Sequence, residues 1–220
     1  MLNFLAQLFF PAKCILCGKL LSPEETDLCH HCLAHAPVFI KEKIRFSFVA
    51  RWTAIWYYKD MVRASILRYK FYHRRSYLPG YARFLAQKLS ETGMNRPDYL
   101  TFVPISRRRK WKRGYDQVAL LADALSKETG LPVLGVLKKI RHTPPQSGLK
   151  SAPERRANVL GAYRVIRPEE VAGKRILLLD DIITTGATVS ECARMLDMAG
   201  AAEITCAALA VAPHDKKQPK

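Results

Sequence analysis

Acidic side chains are scarce in this sequence: its 220 residues carry 19 Asp and Glu against 36 Lys and Arg, a net charge of +17. The shortfall is local. Residues 1–50 hold five basic and four acidic side chains and residues 159–220 hold eight of each, so residues 51–158, with 23 basic and seven acidic, carry +16 of the total. Solubility alone does not need such asymmetry, which points instead to a polyanion or a highly charged phosphate ligand. Also missing is any apolar run of ~20 residues, so no transmembrane helix is expected. Met1–Phe10 is apolar but lacks the basic start and small-residue cleavage site of a signal peptide. Its Leu5, Leu8 and Phe9 fit one face of a short helix docked on the body, with a membrane-surface role the lesser reading, and a cytoplasmic protein is expected. No Gly-Lys-Ser/Thr follows a glycine-rich run, which excludes a Walker loop. What remains is a globular composition, 49% hydrophobic and 25% charged, with length for one core and a small appendage.

The chemistry concentrates in 176–190, ILLLDDIITTGATVS. The apolar run Ile176–Leu179 is too short for a typical helix and does not alternate, which predicts a strand buried on both faces of a parallel sheet. Asp180 and Asp181 sit where that strand should end. Thr184, Thr185, Gly186, Ala187 and Thr188 supply hydroxyls, small side chains and a glycine. Val189, Cys192, Ala193 and Leu196 then recur at helical spacing, with Gly200 as the stop. Ligands of open parallel sheets bind at the carboxyl ends of strands, and a loop feeding a helix N-terminus offers N–H groups and a positive dipole end to a phosphate. A solvated acidic turn would explain the acids alone, but not the acids and loop together at this spacing.

The segment resembles the phosphoribosyl pyrophosphate signature of type I phosphoribosyltransferases. That resemblance implies that Asp180 and Asp181 hold the ribose 2′- and 3′-hydroxyls as the catalytic acidic pair. It also implies that Thr184–Thr188 cradle the 5′-phosphate. The residue types suit those tasks, since carboxylates accept from vicinal hydroxyls and repel phosphate.

Near the amino terminus, Cys14-x-x-Cys17 and Cys29-x-x-Cys32 are separated by eleven residues. Two such knuckles bring four thiolates around one tetrahedral zinc. A redox pair, an iron–sulfur site and two disulfides are the competing readings. Disulfides do not suit a cytoplasmic protein, and neither pair sits in a thioredoxin-like context. A module of some 40 residues is too small to hold together by burial alone, so the metal is expected to be structural. Cys192 and Cys206 fall in apolar contexts and read as core.

Residues 52–81 hold nine of the 21 aromatic side chains, interleaved with Lys59, Arg63, Arg68, Lys70, His73, Arg74 and Arg75. Within them 53–58 reads as a strand and 61–71 as a helix. Rings that stack on bases beside cations that neutralise phosphates suit single-stranded nucleic acid. Most of these rings can equally be core, and exposure decides between the two. A further strand is expected at 99–104, leading into a basic loop in which six of the seven residues Arg107–Arg113 are cationic, and then a helix marked by Val118, Leu121, Ala122 and Leu125. In a phosphoribosyltransferase the loop after the first core strand binds pyrophosphate, which would assign Arg107, Arg108 and Arg109 to that ligand. Arg74, Arg75, Lys110, Trp111, Lys112 and Arg113 are the candidates for nucleic acid. Residues 141–158, with three prolines, read as a long loop, either an active-site lid or a surface excursion.

Taken together, the cysteine pairs, Arg113-Gly-Tyr-Asp-Gln117, Arg141-x-Thr143-x-x-Gln146, Glu154-Arg155-x-x-Asn158 and the DDIITTGAT segment resemble the ComF/GntX family, associated with competence for DNA uptake. Asp116 departs from that family, whose members usually carry Asn there. The resemblance implies a type I phosphoribosyltransferase domain, a zinc-bearing amino-terminal module and work on incoming single-stranded DNA, with other DNA-uptake proteins as partners.

The resulting expectation is an α/β fold with a mostly parallel sheet. Residues 1–50 form the helix and zinc module, 51–213 the phosphoribosyltransferase-like domain, and 214–220 a polar tail. Phosphoribosyl pyrophosphate would arrive with Mg²⁺ held mainly by ligand oxygens and water. Two functions follow: a binder of phosphoribosyl pyrophosphate and single-stranded DNA in DNA uptake, or an active transferase of nucleotide metabolism without a nucleic-acid role.

Overall fold

The computed structural model describes residues 11–40, 44–94, 96–143 and 151–213. The helix expected around Leu5, Leu8 and Phe9, the middle of the 141–158 segment with Gln146, and the 214–220 tail lie outside these residues.

In chain order the elements are α1 (His30–His35), β1 (Arg51–Tyr57), α2 (Asp60–Phe71), α3 (Leu78–Glu91), β2 (Tyr99–Phe102), α4 (Arg107–Arg113), α5 (Gln117–Thr129), β3 (Leu137–Lys139), α6 (Ala152–Val159), β4 (Tyr163–Val165), β5 (Arg175–Ile183), α7 (Ala187–Met198) and β6 (Glu203–Val211). Four strands form a parallel sheet in the order β1–β6–β5–β2, and β3 and β4 pair antiparallel as a separate two-stranded unit. The inner strands β5 and β6 are apolar on both faces because helices cover both. Leu177 and Leu179 pack with α2, α3 and α5, whereas Ile176 and Leu178 pack with α7 and the β3–β4 pair.

The cysteine segment shares the first of these cores. Cys14, Leu16 and Cys32 are fully buried among Trp56, Ile66 and Tyr81. Ser65 of α2 donates to the Ile15 carbonyl, and Arg83 of α3 grips Asp27 through Nε at 2.8 Å. From α1 the chain runs along the outer edge of β1, where Phe39 N–H donates to Ile55 O at 2.9 Å and Tyr57 N–H to Pro37 O at 2.7 Å.

The structure differs from the sequence reading in three places. β5 does not stop before the acids but runs on to Ile183, because β6 continues to pair with it, Asp180 opposite Ala208 and Ile183 opposite Val211. β2, by contrast, ends at Phe102 opposite Leu179, so the acids lie beyond its end with one flank open. The basic stretch Arg107–Arg113 is a helix rather than a loop. Ser106 caps it by accepting from Arg109 N–H, and Gly114 at φ +77° closes it in the left-handed conformation that glycine adopts without strain. The third correction is α6, in the segment read as a continuous loop: Ser151 accepts from Glu154 N–H at 3.2 Å, the start of a capping box that Pro153 in the first turn reinforces. For the nine rings in 52–81, where exposure decides, only Phe71 and Tyr72 are exposed, while Trp56, Tyr69, Tyr77 and Tyr81 are core. Cys192 and Cys206 are fully buried, as expected.

Candidate functional site

Everything that carries charge near the carboxyl end of the sheet converges on Asp180 and Asp181, which are only 9% and 5% exposed. Successive residues of a strand face opposite ways, and the contacts follow that rule. Asp181 faces the α2–α5 side, where Lys70 Nζ pairs with Oδ1 at 2.8 Å and Gln117 Nε2 donates to Oδ2 at 2.9 Å. Asp180 accepts from the Asp181 N–H at 2.8 Å, feels the Lys70 charge, and acts in turn on the buried Cys192 and Cys206 and on Lys139. Burial, reinforced by the Asp181 charge, pushes the Asp180 carboxyl up to about 8.

The loop that follows is brought to the same end. Gly186, at φ +72°, caps α7, and Thr188 on its first turn hydrogen-bonds Tyr163 of β4. Thr185 Oγ1 is buried without a hydrogen-bond partner, and so is Gln117 Oε1 beside Asp181. These are two of the four such side-chain atoms among the described residues, so unmet polar capacity gathers at this site.

Of the three arginines assigned to pyrophosphate, the structure turns only Arg109 inward. Its Nη2 donates to Thr143 O at 3.2 Å, whereas Arg107 and Arg108 are exposed on the outside of α4. Burial lowers the Arg109 pKa, and Arg113 on the same helix face adds to the shift. Sequence reasoning missed the residue that stands with it. Lys139 Nζ lies 3.1 Å from Tyr163 OH, and burial, with the Arg109 charge close by, lowers its pKa to about 8. Among the described residues no ion pair answers either cation. Lys70 and Gln117 were visible in the basic stretch and in the RGYDQ motif, but nothing local marks them as partners of Asp181. Asp116, where an Asn was expected, is the N-cap of α5: Oδ1 accepts from Val118 and Ala119 N–H, and Oδ2 from Ile105 N–H at 3.1 Å. An amide would offer only one oxygen for those donors, so the carboxylate suits this local task.

A basic and aromatic face adjoins the cleft. Phe71 and Tyr72 end α2, directly after Lys70, and Trp111 on α4 is 88% exposed. Arg113 lies 4.8 Å over the Phe71 ring and Arg75 4.4 Å over Tyr115. Arg74, Lys110 and Lys112 are exposed alongside.

Cys14, Cys17, Cys29 and Cys32 come together on the far side of α2 and α3, their sulfurs all within 4.8 Å of one another and Cys17 and Cys29 Sγ 3.7 Å apart. Four sulfurs at ~2.3 Å from a tetrahedral ion stand roughly 3.8 Å apart, so this cluster could hold a metal. Burial resists ionisation of Cys14, but N–H groups of Cys17, Cys29 and Leu16 outweigh it and bring the thiol down to about 7. Among the described residues no helix is long and apolar enough to cross a membrane.

The raised pKa of Asp180 has a measurable consequence. Its proton-linked stability is complete below the unfolded value of 3.8 and is lost as pH rises through the folded value of about 8. Asp180→Asn should therefore flatten the fall in urea midpoint between pH 4 and 9, and exceed wild type at pH 8. An equal fall in the variant would assign the pH dependence to another group.

Comparison with known proteins gives the chain its relatives. A family model described as Phosphoribosyl transferase domain matches residues 82–220. The chain is 32% identical over 182 residues to Competence protein F of Haemophilus influenzae, covering 80% of this chain and 75% of that protein. It is 35% identical over 140 residues to DNA utilization protein YhgH of Salmonella typhimurium, covering 61% of this chain and 60% of that one. Competence protein ComFC of Bacillus subtilis matches at 26% over 185 residues, 83% of this chain and 70% of that protein. Among solved structures, an allosteric regulatory enzyme of purine biosynthesis is similar at 24% identity and a TM-score of 0.45, over 65% of this chain and 30% of that one. The chain thus belongs to the phosphoribosyl transferase domain family, as a ComF-like member related to Competence protein F, ComFC and DNA utilization protein YhgH.

Proposed function

We propose that this protein binds phosphoribosyl pyrophosphate at the carboxyl end of β5, binds single-stranded DNA on the adjoining basic face, and acts on DNA taken up by the cell. The observation that carries the pocket is the continuous run from the buried pair Asp180–Asp181 into the Gly186 cap of α7, at the open carboxyl end of a parallel sheet. In this reading the acids hold the ribose hydroxyls. Thr184, Thr185, Gly186, Ala187 and Thr188 take the 5′-phosphate, an anion that the unpartnered Thr185 hydroxyl and the helix N-terminus suit. Arg109 and Lys139 take the pyrophosphate: two neighbouring buried cations with no ion pair among the described residues favour a polyanion between them. Arg107 and Arg108 would act at longer range from the rim. Mg²⁺ comes on the ligand's oxygens. In a transfer reaction the lone pair of an acceptor would form the new bond to the anomeric carbon as the bond to pyrophosphate breaks, pyrophosphate would leave with that bond's electron pair, and these cations would stabilise its charge.

The DNA reading rests on the cationic and aromatic face beside the pocket and on the names of the curated relatives, which speak of competence and DNA utilization. Phe71, Tyr72 and Trp111 would stack on bases, while Arg74, Arg75, Lys110, Lys112 and Arg113 would neutralise phosphates. Partners are then proteins that deliver the incoming strand, and the protein works on the cytoplasmic side. The metal at the four cysteines is zinc in a structural role, since the cluster closes all four positions with thiolates.

Three measurements test this. Calorimetry should show Asp180→Asn/Asp181→Asn losing phosphoribosyl pyrophosphate affinity by about tenfold or more, one charge-assisted contact from Asp181 at ~1.5–3 kcal/mol; unchanged affinity would leave the motif a structural one. Anisotropy with single-stranded DNA should give a log–log salt slope of about 0.7 per phosphate contact. Arg74→Glu/Arg75→Glu should weaken DNA alone, and Arg108→Glu/Arg109→Glu should weaken both ligands. A flat salt response removes nucleic acid from the function. Metal analysis should find about one zinc per chain, lost in Cys14→Ser or Cys29→Ser, and iron, or no metal in folded protein, would overturn the assignment.

A further inference from the structure

The chain between the cysteine cluster and β1 does more than connect them. After pairing along the edge of β1 it returns at Ile44, whose carbonyl accepts from Trp52 Nε1 at 2.8 Å. Phe46 then packs at 4.9 Å from the Trp52 ring and is 5% exposed. Its ring ends against the phosphate loop: a Cβ on Gly186 would lie 2.2 Å from Phe46 Cδ1 and Cε1. The residue after the loop's threonine pair is thus required to be glycine twice over, by its φ of +72° and by the aromatic ring filling the place of a side chain.

We infer that Phe46 is a positioning residue that holds the Gly186 loop in its phosphate-binding shape. A loop that binds through backbone N–H groups gains affinity only if those groups are already aligned, since ordering them at binding costs what the contacts return. On its other side the loop is tied by the hydrogen bond between Thr188 and Tyr163. Phe46 supplies the opposing wall and is itself fixed through Trp52 to β1. The segment preceding the sheet is therefore part of the binding site, although it touches the loop rather than the ligand. The inference rests on the proposed assignment of residues 184–188 to the 5′-phosphate.

The test uses the full chain and two probes that divide the pocket: ribose 5-phosphate for the loop and inorganic pyrophosphate for the cationic end. By calorimetry, Phe46→Ala should lose about tenfold in affinity for ribose 5-phosphate and stay within about twofold for pyrophosphate. Phe46→Leu, which keeps apolar volume against Gly186, should recover most of the loss, and it carries the comparison at about threefold if the alanine variant does not fold. Wild-type affinity for ribose 5-phosphate in both variants, or equal weakening of both probes, overturns the positioning role. A wild-type protein that binds pyrophosphate but not ribose 5-phosphate would instead overturn the assignment of the loop, and the role of Phe46 with it.

Discussion

Two adjacent carboxylates inside a sheet repel each other and lose their hydration, and the site is built around the way this chain answers that cost. The pleat sends them to opposite faces of β5, so each can be treated separately. Asp181 receives a cation and an amide, Lys70 and Gln117, both brought by helices on one side. Asp180 receives one backbone N–H and an apolar surround, which favours its protonated form. Breaking a buried pair such as Lys70–Asp181 costs about 3–5 kcal/mol, a large share of a domain's ~5–15 kcal/mol. The ion pair thus does structural work in its own right.

The cations across the cleft pose the mirror problem. Burial lowers the pKa of both Arg109 and Lys139, and a neighbouring cation adds to each shift, Arg113 at Arg109 and Arg109 at Lys139. Their closeness is unfavourable in the free protein and becomes favourable only against an anion, the usual mark of strain kept for binding. Acid on β5 and base on α4 and β3 give this end of the sheet two sides of opposite charge.

What the residues disclosed in advance was whatever is encoded locally. The apolar run before Asp180, the small-residue loop, the amphipathic helices and the paired cysteines each carry their signal within a few neighbours. Lys139, Tyr163 and Phe46 were invisible because each acts through a contact made by tertiary folding; Phe46 lies 140 positions from Gly186. The two misjudged helices failed for another reason. Arg107–Arg113 is so uniformly charged that periodicity has nothing to report, and only Ser106 and Gly114 mark its ends. In 151–159 the prolines outweighed a capping signal at Ser151 and Glu154 that was there to be read. The aromatic stretch was ambiguous in principle, since composition cannot separate Trp56, fully enclosed, from Tyr72, open to solvent.

The order of the sheet also bears on how the protein is made. β6, residues 203–211, is inserted between β1 and β5, so the strand carrying the acids and the first strand of the sheet cannot be joined until residue 211 has been synthesised. β1 is complete at Tyr57 and waits for β6 through most of translation, whereas β5 is complete only at Ile183, shortly before β6 follows. Contacts so distant in sequence close slowly, and unpaired edges of this kind associate with other chains. The edge of β1 that β6 will cover thus stays open until the last strand of the sheet has been made.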